Sequence, residues 1–424
     1  MRATKDSGVK WLGEIPSDWD VVPARALFSN PSEPNKPDDV HLTPSQKYGV
    51  LPQEDYMEVS GSRVVLNLSG ADNMRHVNAG DYISHLRSFQ GGLEFSGFDG
   101  KVSAAYTVLR PRCPIDAGYF KHLFKSTMYV QGLQTTTDQL RDGQSIRFGQ
   151  FSLLALPNPP LEEQQAIADF LDRETAQIDK LIAKQEQLIT TLGERRKAVI
   201  WRGVTQSVGA VKLGVGARLD WKLIVPNSWR VKPLWMVTGF STGWTPPSGN
   251  DAFYSDEYPW VNISDLGPRE LRTTVKGLSS FATNSIRLKK TLRGQLMFSF
   301  KLSIGQVSFA GLDCYTNEAI ASFHSSEQLR LDYAFYMLPI CVPENAGENI
   351  YGAKMLNAQR IKTARIILPP LEEQESVASF LNGATTKIDS LIARARKANA
   401  FLVERRQSLI SAAVTGKIDL RKGA

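Results

Sequence analysis

The stretch Pro159-Pro160-Leu161-Glu162-Glu163-Gln164 decides how this chain is organised, because the same six residues return as Pro369-Pro370-Leu371-Glu372-Glu373-Gln374. The two copies are 210 positions apart, and the offset holds without a gap. From Pro159 to Thr205, 22 of 47 positions are identical to their partners in the second copy. Each copy opens a long stretch with helical spacing, which ends near Val204-Thr205 or at Val414-Thr415. The sequence therefore predicts one long helix that occurs twice.

The same offset appears again where each half of the chain begins. Five residues of the first half return in the second: Trp11, Pro16, Trp19, Val21 and Pro23 correspond to Trp221, Pro226, Trp229, Val231 and Pro233. A period of this length is too long for a solenoid. It predicts two units, each made of a domain followed by a long helix.

The composition is that of an ordinary globular protein with a basic surplus. The chain has 424 residues, of which 42% are hydrophobic and 22% are charged, with a net charge of +7. This surplus favours a polyanionic partner. Three cysteines without CxxC spacing and five scattered histidines predict neither disulfides nor a zinc site. The start lacks the apolar run of a signal peptide, and no stretch has membrane-spanning length, so we expect a cytoplasmic protein.

The changes of pattern along the chain predict its domain boundaries. Short apolar runs between Gly, Pro, Asn and Asp clusters fill both domains and indicate a mixed α/β fold with many short strands. One helix is expected near Tyr119 to Leu133. The predicted segments are a first domain at 1–157, a first long helix at 158–206, a linker at 207–220, a second domain at 221–367, and a second long helix with its tail at 368–424.

Both long helices carry apolar residues at heptad spacing, which is typical of a coiled-coil seam. The predicted seam of the first helix is Ile178, Leu181, Gln185, Leu188, Leu192, Arg195 and Val199, and that of the second is Ile388, Leu391, Ala395, Ala398, Leu402, Arg405 and Leu409. Because neither seam is strongly apolar, each helix is the natural partner of the other. An antiparallel pair would form a rod with a pseudo-two-fold axis and one domain at each end.

A fainter repeat lies inside the two domains. Residues 80–105 align with residues 294–319 at an offset of 214, which pairs Gly80 with Gly294 and Asp99 with Asp313. Arg87 falls opposite Lys301. The two domains are therefore expected to share a fold while most of their residues differ, as they would if each domain read a different target.

The chain consists of a variable domain and a helix that begins with PPLEEQ, followed by a second domain and a second such helix. This order resembles the specificity subunit of type I restriction-modification systems. The resemblance covers the whole chain, including the ID-LIA and ERR steps after each PPLEEQ. It implies two α/β target-recognition domains separated by two long antiparallel coiled-coil helices. It also implies a non-catalytic protein that binds a two-part double-stranded DNA sequence, one half per domain, with the helices fixing the gap. The implied partners are two adenine-N6 methyltransferase subunits, which use S-adenosylmethionine, and ATP-driven nuclease subunits.

No complete catalytic motif competes with this interpretation. Asn158-Pro159-Pro160-Leu161 is close to the (N/D)PP(Y/F/W) motif of adenine methyltransferases, but Leu161 lacks the ring that stacks on a flipped base. Asp99-Gly100-Lys101 has no second acidic motif at nuclease spacing. There is no P-loop, and no cofactor is predicted for the chain itself. A stand-alone DNA methyltransferase or nuclease and a coiled-coil adaptor that binds only proteins remain the alternatives.

The candidate DNA contacts are cations and polar residues near glycine turns, where the backbone can approach a phosphate and a side chain can reach a base edge. Basic clusters suited to phosphate neutralisation add to this set. The predicted DNA-binding residues are Arg87, Lys101, Ser103, Arg141, Arg147, Lys289, Lys290, Arg293, Lys301 and Asn317. Solvated surface charge is the alternative for each residue taken singly.

The acidic starts of the two helices are the candidate contacts for the methyltransferase partners. They comprise Glu162, Glu163, Gln164, Glu372, Glu373 and Gln374. Capping of the helix would also explain these residues, since carboxylates favour the positive helix end. The two-domain hypothesis further predicts that exchanging residues 27–155 changes only one half of the DNA site.

Overall fold

The computed structural model describes residues 2–64, 74–84, 92–135, 147–206, 225–247, 249–286, 288–348 and 352–420. The chain forms two compact units. Unit 1 comprises residues 1–187 and 396–424, and unit 2 comprises residues 188–395. The predicted linker at 207–220 lies outside the described residues. None of the helices in the described part of the chain combines the length and apolar character needed to cross a membrane.

The first half of the chain alternates short strands and helices before its long helix. In order these are β1 Thr4–Asp6, β2 Glu14–Pro16, β3 Asp20–Pro23, α1 Ala24–Leu27, β4 Phe28–Ser29, β5 Leu42–Ser45, β6 Gly49–Pro52, α2 Gln53–Ser60, β7 Met74–Val77, β8 Tyr82–Ser84, β9 Leu93–Phe95, β10 Gly100–Ser103, β11 Val108–Pro111, α3 Ala117–Lys125, α4 Thr127–Thr135, α5 Phe148–Phe151, β12 Ala155–Asn158 and α6 Leu161–Gln206.

The second half follows the same plan. It contains β13 Arg230–Pro233, β14 Phe240–Thr242, β15 Tyr254–Val261, β16 Glu270–Leu271, β17 Lys276–Leu278, α7 Ser280–Ile286, β18 Leu296–Ser299, β19 Val307–Ala310, β20 Tyr315–Thr316, β21 Ile320–Phe323, α8 Leu331–Cys341, β22 Gly347–Glu348, β23 Lys354–Met355, α9 Ala358–Thr363, β24 Arg365–Leu368 and α10 Leu371–Val414. Short 3-10 turns occur at Leu234–Met236, Asp251–Phe253, Ile263–Asp265 and Pro343–Asn345.

The main sheets of the two units have the same order of four equivalent strands, and unit 2 adds β16 at one edge. Unit 1 has a four-stranded sheet in the order β4-β11-β8-β9, and unit 2 has a five-stranded sheet in the order β14-β21-β18-β19-β16. The hairpin registers also match at the predicted offset of 214, since Ser84 pairs with Leu93 and Phe298 pairs with Val307. The predicted mixed α/β fold and the internal repeat are therefore confirmed.

Each main sheet packs on helices to form a separate core. In unit 1 the aromatic rings of Phe28, Tyr82 and Phe124 meet edge to face or tilted, with centroids 5.2 to 5.7 Å apart. Such contacts add to the free energy gained by burying apolar area. The start of α6 and the end of α10 join this core through Ile167, Leu171, Ile410 and Val414. The predicted single helix near Tyr119 to Leu133 is wrong, because Ser126 adopts an extended backbone between α3 and α4.

Each unit contains an antiparallel pair of helical segments. In unit 1, Arg406 Nε donates to Asp179 Oδ1 over 2.8 Å, while the later residue Val414 shares a core with the earlier residue Ile167. In unit 2, Arg196 Nε donates to Asp389 Oδ1 over 2.8 Å. These two ion pairs are equivalent under the offset of 210, which confirms the antiparallel pairing that the sequence predicts.

Six of the fourteen predicted seam positions are wrong, because their side chains are exposed. Ile178, Leu192, Ile388 and Ala395 are buried as expected, whereas Leu181 is 48% exposed and Leu391 is 49% exposed. The inward positions are instead the next residues along the chain, namely Ile182, Ile189, Arg196, Ile392, Asn399 and Arg406. Adjacent pairs such as Leu181-Ile182 fit heptad steps of either 3,4 or 4,3. Upstream, Leu171, Thr175 and Ile178 are buried at steps of 4 and then 3. Continuing this alternation makes Ile182, and not Leu181, the next inward residue.

Candidate nucleic-acid interface

The hairpin of β18 and β19 carries the most exposed part of the second repeat segment. Its tip is closed by its own hydrogen bonds, since Gly305 N donates to Ser299 O over 2.9 Å and Gln306 N donates to Ser299 Oγ over 3.1 Å. Phe300 is buried and anchors the tip, and Phe300 N donates to Ala319 O over 2.9 Å. The tip is therefore a defined shape that presents Lys301 and Leu302 outward.

Lys301 belongs to a polar group that the fold assembles from three loops of unit 2. Lys301 Nζ lies 3.7 Å from Glu318 Oε1, and the Thr245 hydroxyl donates to the other oxygen of the same carboxylate. Partial burial alone would raise the pKa of Glu318. The hydrogen bond from Thr245, a backbone hydrogen bond and the charge of Lys301 together outweigh burial and lower that pKa. Glu318 is thus held ionised beside a cation and a hydroxyl, in reach of solvent.

The Thr245 loop is held in place by a close backbone approach. Trp244 N donates to Thr316 O over 2.9 Å, and Trp260 Nε1 donates to Trp244 O over 3.1 Å. A Cβ on Gly243 would lie only 1.7 Å from Thr316 O, so this position requires glycine. Asn317 follows directly and is half-buried, with Oδ1 accepting from Ala319 N over 3.1 Å. Two predicted residues, Lys301 and Asn317, therefore lie on neighbouring segments.

The other predicted cations of unit 2 lie at the opposite end of β18. Lys289, Lys290 and Arg293 are all exposed. Lys290 Nζ is 3.9 Å from Asp313 Oδ2, and Arg293 N donates to Asp313 Oδ1 over 3.0 Å. The strand separates this basic cluster from the Lys301 tip. The two groups suit different contacts, with phosphates alone at the cluster and both bases and phosphates at the tip.

The predicted residues of unit 1 are spread over two regions. Lys101 and Ser103 lie on β10, whose Val102 belongs to a small apolar cluster with Leu42 and Val77. Arg147 is exposed and precedes α5, which packs in the main core instead. The structure therefore does not bring Arg147 to the β10 surface. Arg87 and Arg141 lie outside the described residues.

A polar network that the sequence did not predict supports the β10 surface. Lys101 pairs across the ribbon with His76 of β7. The buried His76 ring contacts Asp39 through Nδ1 at 2.9 Å, and its Nε2 lies 2.9 Å from Lys36 Nζ. Burial lowers the pKa of His41, and the charge of Lys101 lowers it further. Because these groups come from distant positions in the chain, no local sequence pattern predicted the network.

The helix starts are the most closely repeated polar sites. Trp19 Nε1 donates to Glu163 Oε2 over 2.9 Å, and Trp229 Nε1 donates to Glu373 Oε2 over 2.6 Å. Gln164 donates to Pro159 O, and its counterpart Gln374 donates to Pro369 O, both over 2.9 Å. These side chains fasten each helix to the domain before it.

Burial narrows the predicted set of partner contacts. Glu163, Gln164 and Gln374 are buried and occupied inside their own units, and Glu373 is half-buried, so burial argues against direct partner contact by these four. Glu162 and Glu372 are exposed at the same helix starts. Partner contact remains a prediction for these two glutamates.

Comparison with known proteins gives this arrangement a family. The model of the type I restriction modification DNA specificity domain matches the chain twice, over residues 20–191 and 226–398. The chain belongs to the type I restriction-modification DNA specificity family. Each match contains one domain of the repeat and most of the helix that follows it.

Individual members of the specificity family align along most of the chain. The protein named MjaX type I restriction enzyme specificity subunit, from Methanocaldococcus jannaschii, is 22% identical and covers 97% of this chain and 96% of its own length. The EcoKI specificity subunit of Escherichia coli is 24% identical over 76% of this chain and 70% of its own length.

Solved structures show the same fold. A chain from a study of complex assembly and conformational transition of the type I R-M system has a TM-score of 0.74 at 17% identity, over 95% of this chain and 99% of its own. The HsdS subunit of Thermoanaerobacter tengcongensis has a TM-score of 0.52 at 18% identity, over 95% of this chain and 98% of its own. At such low identity the likeness is one of fold.

Proposed function

We propose that this DNA specificity subunit recognises a bipartite DNA target, one half per unit, and directs adenine-N6 methylation and restriction by partner subunits. The observation that carries the proposal is the double match to the DNA specificity domain, one copy in each half of the chain. In this role the chain recognises DNA and is not itself the catalyst. Methyl transfer from S-adenosylmethionine and DNA cleavage fall to the methyltransferase and nuclease subunits. We place the protein in the cytoplasm, where it meets DNA.

The equivalent loops of the two units support different half-sites. At the offset of 214, Glu318 corresponds to Ala104, Asn317 to Ser103, and Lys301 to Arg87. A carboxylate beside a cation can accept a hydrogen bond from the amino group of cytosine, whereas alanine offers only apolar contact. The two units thus share a strand order but carry different side chains at equivalent positions. Such differences are expected if the two units recognise different bases.

The adenine-methylation pattern of the host genome tests this function. We expect a bipartite adenine motif that is modified when the gene is intact and unmodified when it is deleted. The motif itself would give both half-sites and the gap between them. A deletion strain that lacks the methyltransferase gene is the matched control and should lose the same motif. An unchanged pattern in the specificity-gene deletion, with loss in the methyltransferase deletion, would contradict the proposal.

Phosphate contact by the basic cluster predicts a change in salt dependence. For a Lys289→Ala/Lys290→Ala variant of the assembled methyltransferase complex, we expect the slope of log Kobs against log salt concentration to become shallower by about 2. Each lost phosphate contact removes about 0.9 from the slope. Binding to specific and to random duplexes should weaken by similar factors, because phosphates carry no sequence information.

Arg272→Ala is the control for the salt measurement. Arg272 is exposed in the same unit, but its Nη2 lies 2.8 Å from Glu270 Oε2, a much closer ion pair than the 3.9 Å one between Lys290 and Asp313. Its removal should leave the slope unchanged. Equal slopes for the double lysine variant and the wild-type protein would remove these lysines from the phosphate-binding surface.

A further inference from the structure

Leu302, at the tip of the β18–β19 hairpin, is an apolar side chain in an unusual position. It is 93% exposed, more than any other large hydrophobic residue in the described part of unit 2. Its φ is +57°, and no other non-glycine residue that the structure describes has a positive φ. Leucine in the left-handed region costs free energy that glycine or asparagine would largely avoid. The position therefore combines a steric cost with no burial to offset it.

The tip holds Leu302 in place although nothing covers its side chain. Ile304 N donates to Leu302 O over 3.1 Å, and Gly305, itself at φ +93°, returns the chain to Ser299. With Phe300 buried on the near side, the loop cannot fold Leu302 back onto the core. An outward leucine fixed in this way suits contact with something outside the chain.

The neighbours of Leu302 indicate what that contact is. Lys301 precedes it and carries a positive charge close to Glu318 and Thr245, all at the same edge of unit 2. A cation next to an exposed aliphatic tip fits DNA, because the cation can neutralise a phosphate while the apolar side chain enters the base stack. A purely protein partner would be expected to meet a broader apolar surface than one side chain.

We propose that Leu302 is a wedge that inserts between two stacked bases in the half-site read by unit 2. This inference rests on the proposed function, since it requires sequence-specific DNA binding by that unit. Insertion unstacks one base step and kinks the duplex, at a cost that depends on sequence. Pyrimidine–purine steps unstack most easily, so Leu302 favours such a step without any hydrogen bond to its bases. It is a positioning and specificity-determining residue that acts through DNA shape.

Fluorescence of 2-aminopurine tests the wedge. The full chain is assembled with its methyltransferase subunits and bound to duplexes that carry 2-aminopurine at successive positions of the half-site, apart from the methylated adenine. We expect the wild-type complex to raise the fluorescence at one base step. Leu302→Asn should abolish that rise, because asparagine tolerates the backbone conformation but cannot replace stacking contacts. Leu302→Phe should retain it.

Affinity and stability separate the possible outcomes. Removing one wedge should weaken specific binding on the order of tenfold, since part of the lost contact is offset by the unstacking no longer required. The Tm of Leu302→Asn should equal or exceed that of the wild-type protein. Val275→Asn is the control, because Val275 is 86% exposed in the same unit without a positive φ. This variant should change neither the 2-aminopurine fluorescence nor the affinity for the specific duplex.

Three results would overturn the wedge. Unchanged fluorescence with Leu302→Asn would show that another group unstacks the DNA. Failure of this variant to assemble with methyltransferase subunits would assign Leu302 to a protein interface. Absence of any sequence preference in the wild-type complex would instead remove the proposed function itself, and the wedge with it.

Discussion

Exchanging residues 24–154 for the matching part of another specificity subunit is expected to change one half of the methylated sequence and leave the other half unaltered. The structure explains where the cuts should fall. β3 and β12 form an antiparallel ribbon in which Pro23 pairs with Ala155, so the two ends of the exchanged segment lie about 5 Å apart. Because the chain enters and leaves the domain through this one ribbon, the domain can be replaced without displacing the helix that follows it.

The second unit offers the reciprocal experiment. β13 and β24 pair in the same way, with Pro233 opposite Arg365, so residues 234–364 form the corresponding cassette. Exchange of this cassette should alter only the other half-site. Because each mismatched base pair typically costs about 1–3 kcal/mol, a chimera should abandon its former half-site completely rather than tolerate it.

Methylation sequencing of strains that carry each chimera measures the result. The gap between the half-sites should be conserved in both chimeras, since neither exchange replaces a residue of α6 or α10. If one exchange changed both halves of the motif, or if neither exchange changed any base, the assignment of one half-site per unit would be wrong. Retained methylation activity, at any new sequence, shows that the chimera folds and assembles.

The features that the sequence predicted well are those encoded by repetition. The offset of 210 located both helix starts, and the structure shows the same tryptophan–glutamate bond at each of them. The antiparallel pairing followed from the likeness of the two helices, and Asp179–Arg406 and Asp389–Arg196 confirm it. Comparing a sequence with itself provides the information that a single unrepeated chain lacks.

Other features depended on contacts between distant positions. Leu181-Ile182 and its equivalents fit two seam registers, and only packing upstream of Ile178 selects one. The role of Glu163 as an intramolecular anchor required knowledge that Trp19 would be beside it. The exposure and the backbone conformation of Leu302 could not be predicted from neighbouring residues, since Phe300, two positions earlier, is also apolar and is buried.

The largest stability effect is expected from Glu163→Ala, because this change removes one of the two carboxylates that hold the Arg2 guanidinium and leaves the Trp19 indole N–H unpaired. The Arg2 side chain is only 7% exposed and lies against Glu163, which is 6% exposed, with Arg2 Nη2 2.8 Å from Glu163 Oε2. Glu163 also accepts from Trp19 Nε1. The pKa of Arg2 is raised above its ordinary value, first by the Glu163 hydrogen bond. The guanidinium stays charged without Glu163 as well, because arginine is not deprotonated in proteins. Because Asp18 Oδ2 stays 2.7 Å from Arg2 Nη2, the expected cost is about 2–4 kcal/mol, below that of a buried charge left with no partner.

Thermal unfolding should show this loss as a fall of the Tm of unit 1 by about 10 °C. Glu162→Ala, one residue earlier and exposed, is the matched control and should change stability by less than about 0.5 kcal/mol. The counterpart Glu373→Ala removes the bond to Trp229 and is expected to cost about 1–3 kcal/mol through the unsatisfied indole N–H.

A double variant separates charge burial from lost packing. In Arg2→Ala/Glu163→Ala no guanidinium is left with only Asp18 as its partner, so part of the stability lost in Glu163→Ala should return. If the double variant were as unstable as the sum of the two single variants, the coupling between Arg2 and Glu163 would be negligible. The anchor would then act through the Trp19 bond and the helix start alone, and Glu163→Ala and Glu373→Ala should lose similar stability. A strong recovery instead means that the first residues of the chain fasten α6 to its domain by a buried ion pair.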